Sequence, residues 1–190
     1  MKRNTKIKTD RNVVTGLESI YIAEDLGNSY GELIKLSGSR EFNLTINRVI
    51  EQITMGKNIS KTIKDKIVDA SINLDFVNIP IEIEAKLEGA TLDENGGYAT
   101  KVNSNKPNFA IMLVRTDNKN LREVLILYNC RIHTNNISGS TKNKEINFKT
   151  VQMAATAIAK ENGLFKYTIK ENLNNKVFID SMLNKLYIPK

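Results

Sequence analysis

The sequence predicts a mainly β (α+β) protein, an antiparallel β-sandwich or barrel with one short flanking helix, a long loop and a C-terminal helix. Three observations predict it. Apolar and polar residues alternate in Phe42-Leu44-Ile46 and in Ala70-Ile72-Leu74-Phe76, the pattern of a strand half-buried against a core. Two runs, 109–114 and 124–128, are apolar at both parities around the polar stretch 115–120, which predicts a hairpin covered on both faces. Helical periodicity is confined to two short segments.

In chain order, Leu17, Ile20 and Ile22 mark a first, less regular strand, and Leu33, Ile34 and Leu36 a short one that ends at the Ser37-Gly38-Ser39 turn. Strands over 42–46 and 70–76 follow, separated by 52–68, QITMGKNISKTIKDKIV. This Lys- and Thr-rich stretch reads as a long mobile hairpin tip or crossover, and a loop longer than about 12 to 15 residues in a compact domain is usually functional or disordered. Residues 80–88 read as a short helix, with Asn78 as cap, Pro80 in the first turn, Glu82 and Glu84 at its positive end and Gly89 as stop. A strand competes there, because Ile79, Ile81 and Ile83 alternate. After the central hairpin, 130–138 continues as a strand into a turn at 139–143. A return strand over 145–158 changes phase near Thr150, where a bulge is expected. Phe165, Tyr167 and Ile169 form a last strand after the Asn162-Gly163 turn, and Ile179, Leu183 and Leu186 place a helix over 176–187, capped by Asn174 or Asn175.

The chain has 190 residues with 41% hydrophobic and 26% charged, enough for a buried core and too apolar for a disordered chain. No apolar run approaches the roughly 18 residues of a spanning helix. The basic start leads into no apolar h-region, so no cleaved secretory signal is expected. A single cysteine, Cys130, predicts a protein made in a reducing cytoplasm without disulfides. The +7 net charge is held by two segments. Lys2, Arg3, Lys6, Lys8 and Arg11 make the start basic, and Arg48, Lys57, Lys61, Lys64 and Lys66 do the same for 48–66, while the rest of the chain is neutral. A basic arm and loop on a neutral body point to an acidic partner surface, a neighbouring subunit or nucleic acid; a merely solvated arm is the alternative.

Reactive groups are sparse. His133 is the lone histidine, it stands at opposite strand parity to Cys130, and no HExxH, CxxC, GxxxxGK[ST] or GxGxxG spacing occurs. Cys130 reads as a buried apolar residue and His133 as a surface one. Glu82 with Glu84, and Asp93 with Glu94, read as solvated acids. No enzymatic activity, cofactor or metal is expected.

The segment Leu127-Tyr-Asn-Cys130, followed by 131–146 with its Ser140-Thr141-Lys142 turn and the Thr- and Ala-rich strand 150–158, resembles the major tail tube proteins of long flexible-tailed bacteriophages and prophages. The strand at 109–114 and the opening 12–24 fit the same pattern, so the resemblance covers most of 12–160. It implies a sandwich or barrel with one flanking helix, which favours helix for 80–88. It also implies a structural virion protein, the major tail tube subunit, that self-assembles into stacked hexameric rings around a hollow channel for DNA. Assembly in the host cytoplasm follows, with the tape-measure, tail terminator and distal tail proteins as partners. The organisation expected is a basic arm at 1–12, a β-domain at 13–171 and a C-terminal helical extension at 172–190, whose helix at 176–187 goes beyond the family pattern. The arm and 52–68 would bridge subunits, placing Lys2, Arg3, Lys6, Lys8, Arg11, Lys57, Lys61, Lys64 and Lys66 at subunit contacts. One departure is charge: lumens in such tubes tend to be acidic, whereas this chain is basic, so the basic segments are expected away from the channel. A basic nucleic-acid-binding β-domain is the alternative, with affinity that falls steeply with salt.

Overall fold

The computed structural model describes residues 14–55, 60–135 and 151–189. Eight strands and two short helices follow in the order β1 (Val14–Glu24), β2 (Ile34–Leu36), β3 (Ser39–Met55), β4 (Ser60–Phe76), α1 (Ile81–Leu87), β5 (Phe109–Asp117), β6 (Arg122–Asn135), β7 (Val151–Ala157), β8 (Lys166–Lys170) and α2 (Lys176–Met182). The strands form one antiparallel sheet in the order β2-β1-β5-β6-β7-β4-β3, with β8 beside the first half of β6. In a flat sheet β5 and β3 would lie about 19 Å apart, yet the Arg115 guanidinium of β5 sits 5.8 Å from the Phe42 ring of β3. The sheet therefore curls until its inner face closes on itself.

That inner face holds the main core. Ile20 and Ile22, Ile111 and Leu113, Leu125 and Leu127, Met153 and Ala155, and Ile72, Leu74 and Phe76 come from five strands and meet in one buried cluster. Phe42, Leu44 and Ile46 of β3 pack against it at partial burial, as their alternation predicts. The opposite face is apolar only over β1, β5 and the start of β6. There Met112, Val114, Val124, Ile126 and Tyr128 meet Ile179, Met182 and Leu186 of the C-terminal segment. The β5–β6 hairpin is thus covered on both faces because a helix supplies the second layer.

β1 is irregular because its pairing with β5 shifts register between Val14 and Gly16 and again between Leu17 and Ser19. In β6, four residues from Leu127 to Cys130 face three of β5 from Phe109 to Ile111, and Asn129 takes φ 56°, a left-handed conformation that asparagine tolerates. The extra residue returns Cys130 and Ile132 to the inner face that Leu127 serves. The phase change near Thr150 and the 139–143 turn lie outside the described residues.

α1 starts later than expected. Pro80, with ψ 142°, occupies the cap position without a side-chain bond, and its carbonyl accepts from Ile83 and Glu84. Proline forces the residue before it into extended backbone, so Asn78 is too early to cap. The helix ends as predicted at Gly89, where φ is +67°. Gly89 N–H donates to the Lys86 carbonyl and Ala90 N–H to that of Ala85, a left-handed closure that satisfies two terminal carbonyls.

α2 is shorter than 176–187. Asn175 holds the cap place, but its Oδ1 accepts from Asn172 N–H and its Nδ2 donates to the Lys170 carbonyl. The helix ends at Met182, where Asn184 and Lys185 both donate to the Ser181 carbonyl. The chain then runs over the sheet, and the Tyr187 carbonyl accepts from the Tyr128 hydroxyl at 2.7 Å.

Candidate functional site

β3 and β4 pair along their whole length, from Ser39↔Phe76 to Met55↔Ser60. β7 supports this hairpin only as far as Ala70↔Ala157. Beyond it, 47–55 and 60–69 form a two-stranded arm about 30 Å long, and among the described residues no third strand pairs with either of its outer edges. The expectation of a loop at 52–68 is therefore corrected: 52–55 and 60–68 are strand, and 56–59 lie outside the described residues. β-branched Ile53, Thr54, Thr62, Ile63, Ile67 and Val68 favour pairing, but 52–68 carries none of the alternation by which a strand is recognised.

The arm begins at a bulge. Asn47 pairs with Asp69 and Arg48 with Ile67, which leaves Val68 as the extra residue. Asn47 Nδ2 donates to Asp69 Oδ1 at 2.6 Å, and the Arg48 guanidinium meets the Asp65 carboxylate at 2.6 Å. Both bonds are exposed, so they set the geometry of the junction more than its stability. Val49, Ile50 and Val68 are large apolar side chains left exposed there, Ile50 by 66%. Exposed edges and apolar side chains on a two-stranded ribbon are what a second chain would cover.

Over β6, β7, β4 and β3 no helix among the described residues covers the sheet face opposite the main core. Register places Arg131 and His133, then Gln152, Ala154 and Thr156, then Ser71, Asn73 and Asp75, then Glu41, Asn43 and Thr45 on this face. It is a polar surface with two carboxylates, Glu41 and Asp75, directly across from each other. His133 is exposed on it, while Cys130 is buried on the inner face, where desolvation pushes its thiol up to about 12. The two cannot act as a nucleophile pair.

Of the basic residues singled out, Lys2, Arg3, Lys6, Lys8, Arg11 and Lys57 lie outside the described residues. Lys61, Lys64 and Lys66 are in β4, in register with Thr54, Glu51 and Val49. Lys64 and Lys66 are exposed and share one face of the arm, while Lys61 stands at the other parity. The arm thus brings two of the nine together.

An open cleft of about 640 Å³, unforeseen from the sequence, lies at one end of the polar face, between Asn28, Asn105, Asn108, Asn129, Arg131 and Asn162 among others. On its wall Lys160 Nζ donates to both Asp25 carboxylate oxygens at 2.8 and 2.7 Å and to the Gly27 carbonyl at 2.8 Å, pinning the β7–β8 connection to the end of β1. The Tyr30 ring lies 5.0 Å from the same ammonium, and burial, followed by the Asp25 charge, holds its hydroxyl well above the ordinary tyrosine range. Only the Asn162-Gly163 turn and the Leu-Tyr-Asn-Cys segment hinted at this region.

The sequence model of the family described as "Phage tail tube protein" matches residues 30–184. No curated protein matches the chain. Among solved structures, the chain is similar to the tube-terminating cap of the anti-feeding prophage, at 13% identity over 88% of this chain and 99% of that one, TM-score 0.45. It is also similar to a chain of the extended sheath–tube complex of an extracellular contractile injection system, at 9% identity over 91% and 100%, TM-score 0.45. The family match runs from the end of the Asp25–Tyr30 turn through α2, so the C-terminal helix falls within the family pattern rather than beyond it. The chain belongs to the phage tail tube protein family, the structural proteins that build the tube of the tail.

Proposed function

We propose that this chain is the major tail tube subunit, that it assembles into stacked hexameric rings, and that DNA passes through their channel without chemistry on the protein's part. The observation that carries the reading is the arm: a ribbon about 30 Å long, with both edges unpaired among the described residues and apolar side chains exposed, is incomplete alone and is completed by pairing with a neighbour. In this reading the arm crosses to the adjacent subunit with Lys61, Lys64 and Lys66, and Lys57, between its two strands in sequence, joins that contact. The basic start, with Lys2, Arg3, Lys6, Lys8 and Arg11, bridges successive rings.

The open face of β6, β7, β4 and β3 is the channel wall in this reading. It offers DNA hydroxyls, amides and carboxylates and no large apolar side chain, a surface that neither binds phosphates densely nor stacks on bases. The tape-measure, terminator and distal tail proteins are the further partners, and the tail of the virion is the site of action. Electron microscopy of full-length protein and of a variant in which Asn-Gly replaces 48–68 tests the central step. Tubes are expected from the first, and folded monomers from the second. Normal tubes from the shortened variant would remove the arm from the assembly.

A further inference from the structure

We infer that Arg131 is a phosphate contact on the channel wall, a cationic point at which the DNA backbone touches a surface whose other described side chains are neutral to acidic. The inference rests on the channel reading above. It starts from how the cations of the cleft are partnered. Lys160 is held by Asp25 and Lys106 by Glu88. Elsewhere Arg48, Arg115 and Arg122 each meet a carboxylate. Arg131 lines the same cleft, and among the described residues its partner is an amide: Nε donates to Asn108 Oδ1 at 2.8 Å.

That amide is itself fixed. Asn108 Nδ2 donates to Asn129 Oδ1 at 2.8 Å, and Asn129 Nδ2 donates to the Ala159 carbonyl at 3.4 Å. Asn129 is the left-handed residue of the β6 bulge, so a backbone feature sets the direction of the relay. An arginine held by Nε keeps its two terminal nitrogens as a fork, and a preoriented fork matches two oxygens of a phosphate. Register puts Arg131 on the same sheet face as Thr156, Ser71 and Asn73, so the fork belongs to the surface that faces the channel. With Glu41 and Asp75 on the same wall, one such contact guides a polyanion without retaining it.

Unassembled full-length protein and a short blunt DNA duplex test this, with affinity measured across a salt series for wild type, R131Q, R131K and N108A. We expect R131Q to flatten the log-log salt slope by about 0.9, the loss of one phosphate contact, and R131K to restore it. N108A, which removes the positioning acceptor but no charge, should weaken binding with the slope unchanged. An R131Q slope equal to wild type overturns the inference, and if R131Q also loses tube formation, Arg131 is a subunit contact instead. Tube formation by wild type is scored separately: its failure counts against the channel reading, whereas the slope comparison reports on Arg131 alone.

Discussion

Gly89 closes α1 at φ +67°, and a Cβ built there would meet the Asn105 carbonyl oxygen at 2.9 Å. Both the left-handed backbone and a backbone atom that cannot swing aside oppose any side chain, so Gly89→Ala should cost on the order of 2 kcal/mol, measured by urea unfolding. Cys130 is the converse, a reactive group silenced by its surroundings. Its buried thiol, pushed up to about 12, should resist a thiol reagent at pH 8 in the native protein and react at once in denaturant. Prompt native reaction would place it outside the core. The Arg122 guanidinium grips Glu171 with two bonds, Nε to Oε2 at 2.7 Å and Nη2 to Oε1 at 3.1 Å, and also meets Asp180 of α2. These bonds hold the Glu171 carboxyl below its usual range. A depressed carboxylate stabilises the fold above its unfolded pKa, about 4.3, and the contribution is lost as pH falls through the folded value. Wild type should therefore exceed E171Q in stability by a constant margin from neutrality down to about pH 4.3, with the margin shrinking below that. A margin that stays constant at lower pH would contradict the ion pair. At this scale the sequence was informative where a residue type has a single use: Gly89 as a stop and Cys130 as buried. It was silent where a pair is distant, as with Arg122 and Glu171, 49 positions apart.

Elements were legible in proportion to the core beneath them. β3 and β4 are visible by alternation while they pack on the main core and invisible beyond Asn47 and Asp69, because in the arm the described side chains 48–50 and 64–68 are exposed apart from Ile67 and no period is imposed. The α2 face was found from Ile179, Leu183 and Leu186 and its end was not. Leu186 stays buried although the helix has stopped, since the Tyr128 hydroxyl holds the extended tail through the Tyr187 carbonyl. The β6 bulge escaped notice because the apolar run 124–128 continues into Cys130 without a break, and only the left-handed Asn129 shifts the phase. Two expectations follow for these elements. Replacing 48–68 by Asn-Gly should leave the thermal midpoint within a few degrees of wild type, because of the arm's described side chains Ile67 alone packs against a buried cluster, and only at partial burial; a collapse of the midpoint would mean that the arm is part of the subunit core. Truncation after Glu171 removes α2 and uncovers Met112, Val114, Val124 and Ile126, and should give aggregation or loss of cooperative unfolding, read by light scattering and circular dichroism.

At the scale of the molecule, two opposite surfaces carry the account. A polar, mildly acidic sheet face lies on the body, and a charged, edge-exposed arm extends from it. The charge distribution that separates basic segments from a neutral body was legible by counting. The polar face was not, because its residues come from β6, β7, β4 and β3 and become one surface only through register. Lys64 and Lys66 sit on the side of the arm continuous with that face, so in the proposed tube the arm turns away from the channel at the Val68 bulge or is covered by a neighbour. The most direct measurement is a cryo-electron microscopy reconstruction of tubes formed by the full-length protein. The account predicts a hollow tube with Glu41, Asn43, Ser71, Asn73, Asp75 and Arg131 on the channel wall and the arm of each subunit paired against the next. A tube with that sheet face turned outward, or with the arm folded back on its own subunit, would contradict it.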